Sequence, residues 1–178
     1  TTFKGSIADL LIFDEDREGW EAAAGGDFTT IDFTGFEDFD VITGQYADQG
    51  VKFTSFVRIF ESDGLFVNDG FGLEGFAEGM EMEFSQPMTA LAFDHPGTVN
   101  VDLYSGDSLI GSHIFFDGGT GFYGGVVSDI PFDRAVLNRS SFGDYVVIDD
   151  LHFGPSVPAP VAGLVLAGLL FGRRRRNV

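Results

Sequence analysis

The chain has 178 residues, which is enough for one globular domain with a full hydrophobic core and a short tail. It carries 28 acidic and ten basic residues, but only six of the basic residues precede Val157, so this part has a formal charge of −22. Such a charge repels nucleic acid and anionic lipid and suits divalent cations or basic partners. The lack of cysteine excludes disulfides and thiolate metal sites. Because Thr1 is followed by no basic-then-apolar leader, we expect a removed signal peptide or a fragment.

A short helix is predicted near the start of the chain, after a first apolar run. Asp14 is expected to cap its N-terminus, and Gly25 and Gly26 are expected to end it. Trp20, the only tryptophan, shares a face of this helix with Ala23 and Ala24. We therefore predict that Trp20 packs in the core or against a sheet, with sugar stacking as the alternative.

The rest of the body is predicted to be β-structure, because short apolar runs recur between turn signals rich in glycine. Val99, Val101 and Leu103 alternate with polar residues and are expected on one face of a strand, and residues 105–108 (SGDS) are expected to form a hairpin turn. The sequence predicts an all-β, jelly-roll-like antiparallel β-sandwich with one short N-terminal helix. The predicted strands lie at 7–13, 28–33, 51–57, 80–84, 88–93, 99–104, 109–116, 122–127, 135–137 and 145–153.

The tail combines a proline-marked break, an apolar stretch and a basic cluster. Residues 161–172 are twelve uncharged residues, about 18 Å of helix, whereas a bilayer core is about 30 Å thick. The arginines are expected to stay cytoplasmic, which leaves the acidic domain outside.

We predict a β-sandwich domain at 1–154, a linker and motif at 155–160, a single short transmembrane helix at 161–172 and a basic tail at 173–178. A plain single-span anchor is the alternative. The motif is Val157, Pro158, Ala159, Pro160, and the basic cluster is Arg173, Arg174, Arg175, Arg176.

This three-part tail resembles the PEP-CTERM sorting signals of Gram-negative bacteria, in particular the subgroup that starts with Val-Pro-x-Pro. Ala159 stands where the name-giving motif has Glu. The resemblance implies an exported protein that inserts transiently in the inner membrane. An exosortase, a membrane cysteine protease-transpeptidase, would then process it for the cell surface or extracellular matrix. It also implies an association with exopolysaccharide and biofilm.

The body resembles β-sandwich domains that often precede such signals and that are similar to carbohydrate-binding modules with jelly-roll folds. The residues that carry this resemblance lie at 20–23 (WEAA), 30–33 (TIDF), 45–53 (QYADQGVKF) and 148–153 (IDDLHF). The resemblance implies a binding or structural module, with polysaccharide as a partner and no enzymatic activity. Separately from this resemblance, Tyr46, Tyr104, Tyr123 and Tyr145 could stack on sugars, although a tyrosine is more often a rim or core residue.

The same resemblance implies a structural Ca²⁺ that ties the first strands to the last, although Thr34 stands where relatives carry an acidic residue. Six to eight oxygen ligands are needed, so only carboxylates that converge in space would form the site. The candidate ligands of this calcium site are Asp32, Glu37, Asp149 and Asp150.

A second pattern, residues 14–19 (DEDREG), partly matches an EF-hand loop. It has Gly25 in place of the bidentate Glu, so we favour the interpretation of this segment as a helix cap.

One alternative is enzymatic. Residues 106–109 (GDSL) and the Asp149-x-x-His152 block spell two motifs of the GDSL serine hydrolases, in which Ser108 would attack an ester, His152 would accept its proton and Asp149 would orient the imidazole. Ser108, however, is predicted between two strands instead of at a strand-to-helix junction. The expected oxyanion-hole glycine and asparagine blocks are missing after it. We therefore expect no enzyme.

Overall fold

The chain folds as antiparallel β-structure in a computed structural model, which describes residues 7–62, 70–76, 79–116, 121–139 and 145–155. The predicted sorting motif, apolar helix and arginine cluster lie outside these ranges. The all-β prediction is confirmed, as is a single short α-helix among the described residues, α1 (Arg17–Ala24); a one-turn 3-10 helix lies at Ala47–Gln49. The strands are β1 (Leu10–Asp14), β2 (Thr29–Ile31), β3 (Val41–Ile42), β4 (Val51–Phe53), β5 (Val57–Glu61), β6 (Phe71–Gly75), β7 (Met80–His95), β8 (Val99–Ser105), β9 (Ser108–Phe115), β10 (Phe122–Arg139) and β11 (Val146–Gly154).

Two long neighbouring strands, β7 and β10, organise the sheet. The strand order is β3-β5-β6-β11-β7-β10-β8-β9, and every pairing is antiparallel. The register between β7 and β10 shifts in the middle of both strands, between Val127 and Arg134 of β10. On either side of this irregularity the outer partners change. β10 pairs with β1 through its first half and β8 through its second, and β7 pairs with β4 and then β11.

Among the described residues, seven phenylalanines are buried in the main core, alongside a larger number of aliphatic residues. The predicted alternation in β8 is confirmed, because Val99, Val101 and Leu103 are buried and their neighbours are not. Each fully buried ring contributes about 2–3 kcal/mol of hydrophobic stabilisation before entropy is subtracted. The fully buried rings of this core are Phe33, Phe93, Phe115, Phe132 and Phe153.

Helix α1 closes a second, smaller core on the other side of the sheet. Trp20 is fully buried there and donates from Nε1 to the Val126 carbonyl at 3.2 Å, so the predicted packing role of Trp20 is confirmed. The predicted N-cap was wrong: Asp14 ends β1, paired with Gly124, and Asp16 caps the helix by accepting from the Gly19 amide at 2.9 Å. The predicted stop is confirmed, since Gly25 adopts a left-handed conformation with φ of 85°.

Several strand boundaries differ from the predicted ones. The run at 51–57 is two strands, β4 and β5, and the runs at 80–84 and 88–93 are one strand, β7. Likewise the runs at 122–127 and 135–137 are parts of β10, while β3 and β6 were not predicted. The hairpin at 105–108 is confirmed, because Ser105 ends β8, Ser108 begins β9 and the two residues pair.

Candidate functional site

The structure brings two of the four predicted calcium ligands, Asp32 and Asp150, to neighbouring positions, while Glu37 lies in the segment between β2 and β3. β2 pairs with β11 so that Ile31 lies opposite Leu151, which brings Asp32 and Asp150 to the neighbouring positions. Asp149 and Asp150 are buried, whereas Asp32 and Glu37 are exposed. The pairing therefore supplies the predicted meeting of early and late segments.

The described carboxylates have other contacts in this arrangement. Asp32 Oδ1 accepts from the Thr34 hydroxyl at 3.0 Å and from its amide at 3.2 Å, and Asp149 Oδ1 accepts from the Asp150 amide at 2.8 Å. Within the part of the chain that the structure describes, no group of three or more His, Cys, Asp or Glu side chains is placed to hold a metal ion. Calcium at these residues stays a prediction.

A β-bulge at Asp149 and Asp150 changes which side chains of β11 face the core. Ile148 and Leu151 both face the main core although they are three residues apart, so strict alternation is broken between them. Asp150 takes a left-handed φ of 44°, and the register with β7 shifts between Asp149 and His152. As a result His152 points away from the main core, toward helix α1.

A polar cluster, which we call the helix-covered cluster, lies under α1 and consists of Arg17, Asp94, His152 and Thr30. Arg17 Nη2 donates to both oxygens of Asp94 at 2.9 Å, and Arg17 Nη1 lies 3.1 Å from His152 Nε2. Since arginine only donates, Nε2 is the acceptor and the proton of the neutral ring lies on Nδ1, which donates to the Thr30 hydroxyl at 2.9 Å. The Arg17 guanidinium also lies 4.7 Å from the centroid of Tyr123.

Burial shifts the two titrating groups of this cluster in ways that favour a neutral imidazole. It raises the pKa of Asp94 to about 6, with the Asp150 charge adding to the effect and Arg17 offsetting part of it. It lowers the pKa of His152 to about 4, and the nearby Arg17 charge lowers that pKa further. At neutral pH the cluster is thus an ionised Arg17–Asp94 pair beside an uncharged His152.

The hydrogen-bond partners of His152 are not those of a serine hydrolase triad. Its Nε2 lies beside Arg17 and its Nδ1 beside Thr30, so both ring nitrogens have partners other than Ser108. Ser108 begins β9 in the hairpin that reaches toward Asp133, whose carboxylate accepts from the Gly106 amide. A pocket of about 340 Å³ adjoins this hairpin, but its lining contains no histidine: Glu83, Phe84, Gly106, Asp107, Asp133 and Arg134.

A row of aromatic rings crosses the sheet on the face turned away from the main core. Gly75 of β6 pairs with Val57 of β5 on one side and with Val146 of β11 on the other. Phe76, Phe56 and Tyr145 are the next residues along these three strands, so antiparallel register places them side by side. The ring centroids of Phe56 and Phe76 are 5.1 Å apart, and those of Phe76 and Tyr145 are 5.2 Å apart.

An ion pair lies beside these rings. Arg58 follows Phe56 by two residues and so shares its face, and it pairs across the sheet with Glu74. Arg58 Nε donates to Glu74 Oε2 at 2.7 Å, and Nη2 lies 2.6 Å from the same oxygen. The guanidinium carbon is 4.7 Å from the ring centroid of Phe39 and 4.9 Å from that of Phe76. We call Phe39, Phe56, Phe76, Tyr145 and Arg58 the aromatic face.

The aromatic face is open to solvent. Phe39, Phe56 and Tyr145 are 54, 56 and 46% exposed. Glu74 is buried although its strand position faces outward, because Arg58 and the rings cover it. Exposed apolar groups that cluster in this way mark interaction surfaces, whereas single exposed hydrophobic residues do not.

Sequence analysis found one member of this face and missed the others. Tyr145 is one of the four tyrosines considered for sugar stacking, and it is exposed on this face. Tyr46 and Tyr123 are buried, with burial raising the pKa of Tyr46 to about 12, and Tyr104 lies under Arg134 at 3.9 Å. The sequence does contain a pattern that could have revealed the missed residues. Phe56 and Arg58 alternate with Val57 and Ile59, which are buried, so Phe56 and Arg58 are expected on the outward side.

Comparison with known proteins adds no relative. No protein-family model, no curated protein and no solved structure matches this chain. Among the residues that the structure describes, no helix is long and apolar enough to cross a membrane.

Proposed function

We propose that this protein is exported and sorted through its C-terminal segment to the cell surface or extracellular matrix of a Gram-negative bacterium. The observation that carries the proposal is the order of that segment: Val157–Pro160, twelve apolar residues, then four arginines. This order resembles a PEP-CTERM signal. An exosortase-like membrane enzyme is the processing partner that this resemblance implies.

The length of the apolar stretch supports transient membrane insertion. Residues 161–172 span about 18 Å as a helix, well short of the roughly 30 Å of a bilayer core. A span of this length is a weak permanent anchor, because the bilayer must thin locally to cover its ends. The arginines would hold the C-terminus in the cytoplasm and leave the acidic body outside.

For the body, we propose a jelly-roll-like β-sandwich that binds carbohydrate or serves as a structural component of an exopolysaccharide or biofilm matrix. The charge of −22 before Val157 argues against nucleic acid as a partner. The described contacts of His152 favour a structural role for that residue over catalysis, which supports the proposal that the protein is not an enzyme.

The test of sorting is deletion of the signal. The chain is expressed behind a secretion leader in a Gram-negative host with an exosortase, and its distribution is compared with that of a variant lacking residues 158–178. The full chain is expected at the surface or in the matrix, and the truncated chain elsewhere. The same chain in a host without the enzyme is the control. An unchanged distribution of the truncated chain would contradict the proposal.

Two alternatives make different predictions. A membrane-anchored structural protein would keep its tail at the surface, whereas sorting removes it. A GDSL-type esterase would lose ester hydrolysis on Ser108→Ala, while Ser105→Ala, its partner in the hairpin, would not affect that activity.

A structural calcium ion is the remaining part of the proposal. If Ca²⁺ binds at Asp32, Glu37, Asp149 and Asp150, it stabilises the folded state in proportion to the logarithm of its concentration. The melting temperature should then be higher in millimolar CaCl₂ than in EDTA. Asp32→Asn should reduce this difference and Asp107→Asn, a carboxylate in the distant hairpin, should not. Equal melting temperatures in both buffers would exclude the site.

A further inference from the structure

We infer that the aromatic face is the site at which the domain holds a polysaccharide chain, and that this chain lacks acidic groups. The inference rests on the proposed carbohydrate-binding function and gives it a location and a ligand class. Phe39, Phe56 and Tyr145 supply the exposed rings, with Phe76 and Arg58 between them.

The spacing of the rings suits an extended chain of sugars. Phe56, Phe76 and Tyr145 stand on successive strands with centroids 5.1 and 5.2 Å apart, so the row spans about 10 Å across the sheet. Phe56 and Phe76 meet at 53° and Phe76 and Tyr145 at 76°, and the Arg58 guanidinium lies over Phe76, so the row is not a flat platform. The exposed rings at its two ends, Phe56 and Tyr145, can each pack against the apolar C–H face of one sugar while the sugar hydroxyls stay hydrated.

Charge decides the class of ligand. The only cation of the aromatic face, Arg58, already pairs with Glu74, so it offers little net attraction to an anion. Asp38 and Asp40 flank Phe39 and are exposed, and they lie in a body with a charge of −22. A polymer with carboxylates or phosphates would be repelled, as would a second copy of this chain. A polymer with only hydroxyl, amide or amine groups would not.

The rings are held in place before a ligand arrives. The Arg58 guanidinium lies against both Phe39 and Phe76 and is fixed by two contacts to the buried Glu74. Backbone pairing of β5, β6 and β11 sets the positions of the other two rings. A surface arranged in advance loses less side-chain entropy on binding, which favours recognition of a chain that is itself extended.

The experiment uses the full 178-residue chain in a non-ionic detergent and native affinity electrophoresis through matched polymers. Hydroxyethyl cellulose and dextran are the neutral probes, and carboxymethyl cellulose and carboxymethyl dextran are their acidic counterparts. We expect retardation by at least one neutral polymer and at least tenfold weaker retardation by its acidic counterpart. Phe56→Ala and Tyr145→Ala should each weaken the neutral interaction about tenfold.

Phe116→Ala is the matched control, because Phe116 is 71% exposed and follows β9 at the opposite end of the strand order. It should bind like the wild type, and melting temperatures of all three variants should match, which separates loss of binding from loss of folding. Wild-type binding that survives in Phe56→Ala and Tyr145→Ala would overturn this site and leave the proposed function standing. Equal binding of the acidic polymers would overturn the ligand class.

Two further outcomes would also overturn the inference. Failure of the wild type to bind any neutral polymer would remove both this site and the carbohydrate-binding half of the proposed function, while the sorting half would still be decided by localisation. Concentration-dependent association that Phe56→Ala abolishes, measured by sedimentation, would identify the aromatic face as a contact between copies instead.

Discussion

Two regions of this protein combine an arginine, a carboxylate and aromatic rings, and they differ in what covers them. Under α1, Arg17 pairs with Asp94 beside Tyr123 and the fully buried Trp20. On the aromatic face, Arg58 pairs with Glu74 beside Phe39 and Phe76, and no element in the described part of the chain plays the role of α1. Similar side chains thus form a closed core in one place and an open surface in the other.

The difference shows that the ion pair does not by itself define a site. A buried arginine–carboxylate pair is weak proof of stabilisation, because desolvation offsets much of its Coulomb energy. In the helix-covered cluster the apolar cover of Trp20 supplies the stabilisation, and the pair fixes how α1 sits on the sheet. On the aromatic face the pair orients rings that remain available for contact. We therefore expect substitutions to affect stability in the first region and binding in the second.

The largest expected effect is the loss of the helix cover. Trp20→Ala should lower the free energy of unfolding by about 3–5 kcal/mol, because it leaves a cavity between α1 and the sheet. Phe56→Ala on the open face should change it by less than about 1 kcal/mol. Urea unfolding of both variants measures the contrast. Similar losses in the two variants would show that the aromatic face is part of a core.

The pH dependence of stability sharpens the comparison, because the helix-covered cluster holds two groups with opposite shifts. The folded-state pKa of Asp94 is raised to about 6, so its contribution to stability decreases as the pH rises from about 4 to 6. The folded-state pKa of His152 is lowered to about 4, so its contribution increases as the pH rises from about 4 to 6.5. In the wild type the two contributions oppose each other.

Single substitutions should separate these contributions. Relative to the wild type, His152→Gln should lose on the order of 3 kcal/mol of stability between pH 4 and 6.5, and Asp94→Asn should gain a similar amount between pH 4 and 6. Urea unfolding at several pH values gives the two difference curves. Curves with the same sign would contradict the assigned shifts.

A smaller effect is expected where α1 rests on the sheet. A Cβ on Gly125 would lie 2.5 Å from Trp20 Cδ1, so Gly125→Ala should cost about 1–3 kcal/mol by overpacking. Gly44→Ala is the matched control, since a Cβ there meets nothing within 4 Å. Thermal unfolding compares the two. A neutral Gly125→Ala would mean that α1 packs more loosely than the structure indicates.

The fold was predictable where a local pattern determines it. The strands with strict alternation, such as β8, and the hairpin at 105–108 follow from neighbouring residues alone. The N-cap was assigned to Asp14 instead of Asp16 because both residue types cap helices, and only the pairing of Asp14 with Gly124 decides between them. β6 was missed because its sequence, FGLEG, contains two glycines and lacks a periodic pattern.

The candidate sites depend on contacts that no local pattern contains. The aromatic face joins Phe56, Phe76 and Tyr145, which come from three distant segments and meet only through the register of β5, β6 and β11. The bulge at Asp150 likewise turns His152 toward α1, whereas unbroken alternation would place it otherwise. The motif letters at Ser108 and His152 spell a hydrolase pattern that the surrounding sequence already argued against, and the partners of His152 in the fold, Arg17 and Thr30, could not be read from either motif.

The most direct test of the proposed sorting is the intact mass of the protein recovered from the cell surface or matrix of an exosortase-containing host. We predict a mass that lacks the apolar stretch and Arg173–Arg176, and a mass that includes them when the same chain is made in a host without the enzyme. A surface protein that retains all four arginines in the first host would show that the segment is an anchor and contradict the account.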